Sequence, residues 1–342
     1  MGPYVTAVSE DLSPEGIQQL GSAFRASKAL LSAVELGVFT ALADQPLDAA
    51  ELAERTGIHP RGARDFFDAL LALGMLVRTD GHYANTPEAD FFLDRRKPSY
   101  IGGMAEMQSV SGYRLWSSLT QGLRSGAPQT DAKGDFNRLY EDQSRARRYL
   151  QAMTAGSLGS ARVIAARFPW QRYQSILDVG TAQGCLPVQV ALAHDHLRGG
   201  GFDLPAGQPI FEEYVRSFGL TDRLRFFPGD FLADPLPPAD VLVLGNILCD
   251  LDLTQKSALL AKAHAALPVG GALIVYESII DDERRHNASA LLTSLAMILA
   301  KDGAFGFTGA DCRRWMHEAG FVDTSVEPLE GPRSMVVGYK GA

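Results

Sequence analysis

A short apolar run, Ile176, Leu177 and Val179, carries Asp178 within it and leads directly into Gly180, Thr181, Ala182, Gln183 and Gly184. Residue types in this order build a ligand site at the end of a strand. The apolar residues make a buried strand, the two glycines let the turn tighten and the backbone approach a ligand, and apolar residues then resume at helical spacing. A second strand, Gly201 to Leu204, carries Asp203 at its end, where a carboxylate accepts hydrogen bonds from a ribose diol. The candidate cofactor-binding residues are therefore Asp178, Gly180, Gly184, Asp203 and Leu204, with Gly229, Asp230 and Phe231 after a third strand and Gly245 after a fourth.

The spacing discriminates between ribose-containing ligands. A dinucleotide site wants G-x-G-x-x-G, whereas Ala182 and Cys185 stand where two of those three glycines belong. Hydride transfer is thereby disfavoured, and the better reading is S-adenosylmethionine. Gly180 then brings backbone near the methionine part, Asp203 holds the ribose, and Asp230 with Phe231 faces the adenine.

The elements that must position these residues change character along the chain. From Ile17 to about Leu93 apolar residues recur at helical spacing, with breaks at Gln45-Pro46, Gly57 to Pro60, Gly74 and Asp80-Gly81. Leu47 to Ile58 followed by Pro60 to Leu73 reads as helix-turn-helix, and Met75 to Tyr83 as a hairpin turning at Asp80-Gly81. Such a winged helix could bind DNA, but its second helix offers Arg61 and Arg64 beside Asp65, Phe66, Phe67 and Asp68, a poor surface for phosphates. Further helices separated by Gly112, Ser125 to Pro128 and Lys133-Gly134 run to about Arg172. They concentrate Met104, Met107, Tyr113, Trp116, Tyr149 and Met153, either as core or as the wall of an apolar substrate pocket. From Ser175 strands alternate with helices, which implies a parallel sheet covered on both faces. Phe321 to Glu327 and Ser334 to Tyr339 are joined only by a turn containing Gly331-Pro332, so they must pair antiparallel. Two repeated dinucleotide-binding halves do not predict that ending. The expected domains are 1–100, 101–172 and 173–342.

Composition bounds the function. The 342 residues are 46% hydrophobic with no continuous apolar run long enough to span a membrane, so a soluble chain of two or more domains is expected. A formal net charge of -8 gives no general attraction to nucleic acid, and the densest basic run, Arg145, Arg147 and Arg148, reads as a solvated helix face. The N-terminal residues lack a basic segment followed by an apolar core, so no secretory signal is expected. Cys185, Cys249 and Cys312 are widely spaced and form no CxxC pair, which fits reduced thiols in a cytoplasm. No acidic cluster has metal-ligand spacing.

Several stretches together resemble one known family over nearly the whole chain. They are Asp178 to Gly180, Gly201 to Pro205, Phe211 to Tyr214, Gly229 to Phe231, Ala266 to Gly271 and Thr308 to Met316. In these the chain is similar to the bacterial members of the plant-type small-molecule O-methyltransferases, which act on polyketides, phenazines and other specialised metabolites. The resemblance implies an α/β Rossmann-like methyltransferase sheet with an antiparallel terminal hairpin, preceded by a helical, winged-helix-like dimerisation domain. It also implies an intertwined homodimer in which the N-terminal helices of one chain close the partner's site, around a small-molecule substrate.

The departures from that family bear on catalysis. In the family a histidine at the start of the helix after the fourth strand serves as general base; here the segment runs Asn246, Ile247, Leu248, Cys249, Asp250, and Cys249 takes the histidine's place. Cys249 is either a small packed thiol or a replacement base, since a helix N-terminus could lower its pKa. The family's first acidic partner corresponds to Glu277 and the second falls at Gly306. Glu277 either orients the substrate or is a strand-end carboxylate satisfied by helix N–H groups. His286, at the start of the helix that carries Asn287 and Met297, is a candidate rescue base. The candidate substrate contacts are Trp116, Met153, Asn287 and Met297. With the histidine missing, the expected acceptor is a carboxylate, an acidic phenol or a neutral amine, methylated by proximity. The alternatives are a cofactor-binding scaffold turned to hydroxylation with decarboxylation or to rearrangement, and a non-enzymatic regulator or partner subunit without turnover.

Overall fold

A computed structural model describes residues 12–97, 99–130 and 140–342. The expected break at Lys133-Gly134 lies outside the described residues. The chain divides into two compact units between Val110 and Ser111, and residues from Ser111 onward, the long helix Gln143–Arg167 included, group with the large sheet.

The first unit is helical. Helices Ala49–Thr56 and Pro60–Ala72 are followed by an antiparallel hairpin of β1 (Leu76–Thr79) and β2 (His82–Asn85). Local sequence sets these boundaries. The Asp48 carboxylate accepts the N–H groups of Ala50 and Glu51, while Glu51 reaches back to the Asp48 N–H, closing a capping box. Gly57 ends that helix in the left-handed region, and Pro60 opens the next at the position where its missing N–H costs nothing. Asp80 and Gly81 both take positive φ, as a two-residue hairpin turn demands. Phe39, Leu52, Phe67, Leu70 and Tyr83 form the core. On the second helix Arg64 lies 3.8 Å from Asp68 in an exposed pair, and Phe67 faces the core.

The second unit holds seven strands in the order β5-β4-β3-β6-β7-β9-β8. They are β3 (Ser175–Val179), β4 (Arg198–Asp203), β5 (Leu224–Pro228), β6 (Val241–Gly245), β7 (Ala272–Glu277), β8 (Phe321–Pro328) and β9 (Ser334–Lys340). The first five run parallel; β9 pairs antiparallel with both β7 and β8. This is the expected α/β sheet with its terminal hairpin. Strand order reverses at β3, between β4 and β6, so a crevice opens at their carboxyl ends. Fully buried Leu177, Val179, Leu242, Leu244, Leu273 and Val275 fill one face of the sheet, and Ile176, Val241, Val243 and Ile274 the other.

One strand is held by the absence of side chains. Gly200 in β4 has φ +156°, and a Cβ there would lie 1.7 Å from the carbonyl oxygen of Arg225 on β5. No rotamer relieves a clash of Cβ with backbone. Gly200→Ala should therefore cost about 4 kcal/mol or more, a fall in Tm of ~10 °C measured by circular dichroism; a variant within 2 °C of wild type would contradict this packing.

Candidate functional site

The strand ends converge on a cavity of about 910 Å³. Each turn that shapes it has a local cause. After β3, Gly180 takes φ +72° and donates its N–H to the Phe202 carbonyl at 2.8 Å; a Cβ there would meet Ile247 at 2.3 Å. Ala182 follows at φ +52°, a left-handed conformation that costs a residue with a Cβ. That strain is offset by a hydrogen bond, because the Ala182 N–H reaches Asp203 Oδ2 at 2.9 Å. Asp203 Oδ1 accepts the Leu204 N–H at 2.7 Å, so each carboxylate oxygen is pinned by one backbone donor. After β5, the Asp230 carboxylate accepts the Leu232 N–H at 2.8 Å, with Phe231 between. After β6, Gly245 lies where a Cβ would strike the Tyr276 ring at 2.3 Å, and Asn246, at φ +55°, donates its N–H to the Tyr276 carbonyl.

Of the residues expected to hold the cofactor, Asp178, Gly180, Asp203, Leu204, Gly229, Asp230, Phe231 and Gly245 line this cavity together. Gly184 does not; it starts the helix Cys185–Ala193 at φ +90° and packs on the Phe211 ring, where a Cβ would come within 2.6 Å. Met153 lines the cavity. Trp116 and Met297 lie outside the lining, half-buried on the helices Tyr113–Ser117 and Ala288–Ala300, which pack against each other. Asn287 is also outside it: its side chain accepts the Ala290 N–H as a helix cap and donates to the Ile279 and Pro332 carbonyls.

The three expected acid/base residues separate as well. His286 is exposed, in a turn whose N–H groups converge on Asp281. Glu277 is buried at the end of β7, where Oε1 accepts the Leu248 N–H at 2.7 Å and Oε2 the Cys249 N–H at 3.1 Å. This is the strand-end arrangement, with the carboxylate satisfied by the turn Leu248–Asp250. Burial nevertheless pushes its carboxyl up to about 7. Cys249 sits on that turn, and burial, with Glu277 and Asp250 close by, holds its thiol well above the ordinary range. Burial and the two carboxylates outweigh any helix-terminus effect, so the thiol stays protonated. Gly306 leaves no room for an acid, since a Cβ there would meet that of Ser294 at 2.9 Å.

Among the lining residues not singled out as site residues from sequence, four carry polar or ionisable groups that bear on the acceptor side. Tyr149 belongs to the aromatic-rich stretch; Tyr140, Asp250 and Lys301 also face the cavity. Lys301 Nζ pairs with Asp250 Oδ2 at 2.6 Å, both side chains about one-fifth exposed. Asp250 was legible as the neighbour of Cys249, whereas nothing in the local pattern marked a lysine fifty residues downstream. Beneath the turn, fully buried Lys256 donates to the carbonyls of Leu251 and Phe305 and lies 3.4 Å from the Phe305 ring centroid. Burial pulls its ammonium down to about 8. It ties the turn to the segment before Gly306. Among the described residues no group of His, Cys, Asp or Glu could hold a metal ion.

Residues 116–322 match the O-methyltransferase domain, and residues 18–95 the O-methyltransferase dimerisation domain. The chain belongs to this O-methyltransferase family. It is 47% identical to the tetracenomycin polyketide synthesis 8-O-methyl transferase TcmO of Streptomyces glaucescens, over 96% of this chain and 97% of that one. It is 40% identical to the N,N-dimethyltransferase OxyT of Streptomyces rimosus, over 91% and 92% respectively. Human N-acetylserotonin methyltransferase in complex with SAM has the same fold, with a TM-score of 0.89 at 25% identity, covering 98% of this chain and 100% of that one. The protein is thus an S-adenosylmethionine-dependent methyltransferase that assembles as a homodimer. At the start of the dimerisation domain, helix Glu15–Ser22 buries none of its residues in a single chain and leaves Ile17 and Leu20 79% exposed. Among the described residues no helix is long and apolar enough to cross a membrane.

The buried carboxyl of this methyltransferase makes its stability depend on pH. Glu277 keeps its proton to about 7 when folded, against an ordinary 4.5. Between those values the folded chain binds more protons than the unfolded one. Its contribution is therefore fully present below the ordinary value and lost as pH rises through 7. Glu277→Gln cannot ionise, so its stability relative to wild type should improve by about 2 to 3 kcal/mol between pH 5 and 8, read from denaturant unfolding at each pH. A difference independent of pH would show that Glu277 is ionised throughout.

Proposed function

We propose that this methyltransferase O-methylates an acidic phenol of a polyketide-type metabolite in antibiotic biosynthesis, in the cytoplasm, by proximity-driven in-line transfer without an enzymic base. The single observation that carries the reading is the state of the Cys249 turn: the thiol is held protonated, and neither it nor Glu277, which is bonded behind it to the N–H groups of Leu248 and Cys249, lines the cavity. A base at this position is therefore lacking, and the acceptor must ionise by itself. An aliphatic alcohol cannot do so near neutral pH, whereas a phenol conjugated to a carbonyl group can. The relative TcmO, named for 8-O-methylation in polyketide synthesis, supports this acceptor class. Three free cysteines fit a reducing cytoplasm.

The residues present fit S-adenosylmethionine. Asp203 keeps lone pairs for a ribose diol after its two backbone bonds are made, Asp230 and Phe231 stand at the next strand end for the adenine, and Gly180, Gly229 and Gly245 keep backbone bare along the cavity. When bound, this group supplies a methyl on a sulfonium sulfur, with the leaving group already attached. The chain's part is to fix the acceptor in line, to exclude water and to leave the acceptor oxygen anionic. Met153, Ile247 and Leu251 give that part of the cavity apolar walls.

A second reading, methylation of a neutral amine, is favoured by the likeness to OxyT, named as an N,N-dimethyltransferase. Repurposing for a non-methylating reaction predicts a product mass that does not rise by one methylene. Cys249→Ala is the direct test: kcat/KM should stay within about threefold of wild type, and Cys249→His should bring no gain on an ionised acceptor. A loss of a hundredfold or more in Cys249→Ala would make the thiol catalytic and sink the reading.

A further inference from the structure

The charges lining the cavity are unequal. Asp178, Asp203, Asp230, Asp250 and Asp302 all face it, while Lys301 is the one cationic side chain among the described residues of its wall. An anionic acceptor entering this cavity meets five carboxylates, and only one side chain can counter its charge. The position of that cation is defined. Lys301 follows the last residue of helix Ala288–Ala300, where its N–H caps the Met297 carbonyl and the helix end favours positive charge. Its ammonium is held 2.6 Å from Asp250, the residue next to Cys249, on the turn that occupies the family's acid/base position.

We propose that Lys301, held by Asp250, anchors the acceptor as its phenolate and so selects ionised polycyclic phenols over neutral ones. This rests on the O-methylation reading and adds to it the group that supplies the missing base's energetic contribution. The phenol proton goes to bulk water on binding. The phenolate oxygen's lone pair then forms the O–CH3 bond as the S–CH3 bond breaks and its electron pair returns to sulfur, so no further co-reactant is needed. A half-buried ammonium contact to a phenolate is a charge-assisted hydrogen bond, stronger than one to the neutral phenol, so it lowers the acceptor's pKa in the site. Other titratable groups around the pair are the Cys249 thiol, the Tyr149 hydroxyl, Asp302 and, behind the turn, Glu277 and Lys256. The nearby carboxylates oppose phenolate binding, and with S-adenosylhomocysteine in place of the sulfonium Lys301 is the one cationic side chain of the described wall that favours it.

The test uses the homodimeric enzyme saturated with S-adenosylhomocysteine and a panel of hydroxyanthraquinones and hydroxynaphthoates, whose phenolates absorb at longer wavelength than the phenols. For wild type the bound dye should titrate about 1 to 2 units below the free dye. In Lys301→Met the shift should vanish and kcat/KM below the dye's pKa should fall about 10- to 100-fold, while Lys301→Arg restores most of both. Calorimetric affinity for S-adenosylhomocysteine should be the same in all three, which separates anchoring from loss of structure. If the dyes are methylated but Lys301→Met keeps the wild-type spectrum and pH profile, the anchor is wrong and the O-methylation reading stands. If no phenol in the panel is bound or methylated while an arylamine is, both fall together.

Discussion

The hydrogen bonds from Ala182 and Leu204 to the two oxygens of Asp203 are the interaction on which the site depends. The first joins the turn after β3 to the end of β4 at the point where strand order reverses, and the second fixes the carboxylate that receives it. The turn reaches this position only because Gly180 and Ala182 adopt positive φ, and Ala182 holds that strained conformation for the sake of the bond to Asp203. Around this tie the sheet keeps backbone close. Gly200 lets β4 lie between β3 and β5, and Gly201 leaves room for Thr181, whose hydroxyl donates to Asp178 at 2.8 Å. The crevice at the strand ends thus follows from close backbone packing, with few side chains needed to shape it.

Burial of charge is the second constraint, and it divides the cavity by chemistry. Asp178 and Asp203, pushed up by burial to about 7 and about 6, need favourable partners to remain ionised, and a ribose diol offers them to Asp203. At the other strand ends Glu277, raised in the same way to about 7, accepts from the backbone of the Cys249 turn, and Lys256 braces the same turn from below. The Cys249 turn is a structural knot of backbone hydrogen bonds. Its one side chain of functional reach is Asp250, and that is committed to Lys301. A methyl sulfonium needs no acid to activate its leaving group, so on the proposed reading transfer to an acceptor that ionises by itself proceeds without a base.

The sheet was legible because its strands are near-continuous apolar runs ended by glycine or acid, and because the last two are joined too closely to run parallel. Eight of nine expected cofactor residues meet at the cavity, since strand ends in this topology are brought together by the sheet itself. Gly184 differs because a helix-starting glycine answers to packing, here on Phe211. The acceptor side was less legible. Asn287 and His286 were placed by neighbourhood in sequence, but a helix cap and an exposed turn are equally good reasons for their types. Lys301 carried no local signal, because its meaning comes from Asp250, to which only the tertiary fold joins it. The protonated state of Cys249 is likewise a product of burial beside two carboxylates, neither of which is evident from a cysteine alone.

On the proposed reading the acceptor brings its own ionisation, and no side chain of this enzyme acts as base toward it. The most direct measurement is the pH dependence of kcat/KM across a series of phenols graded in acidity. A rising limb whose midpoint moves with the acidity of each phenol is expected on that reading. A midpoint fixed at one pH for every acceptor would reveal a titrating enzymic base and contradict it.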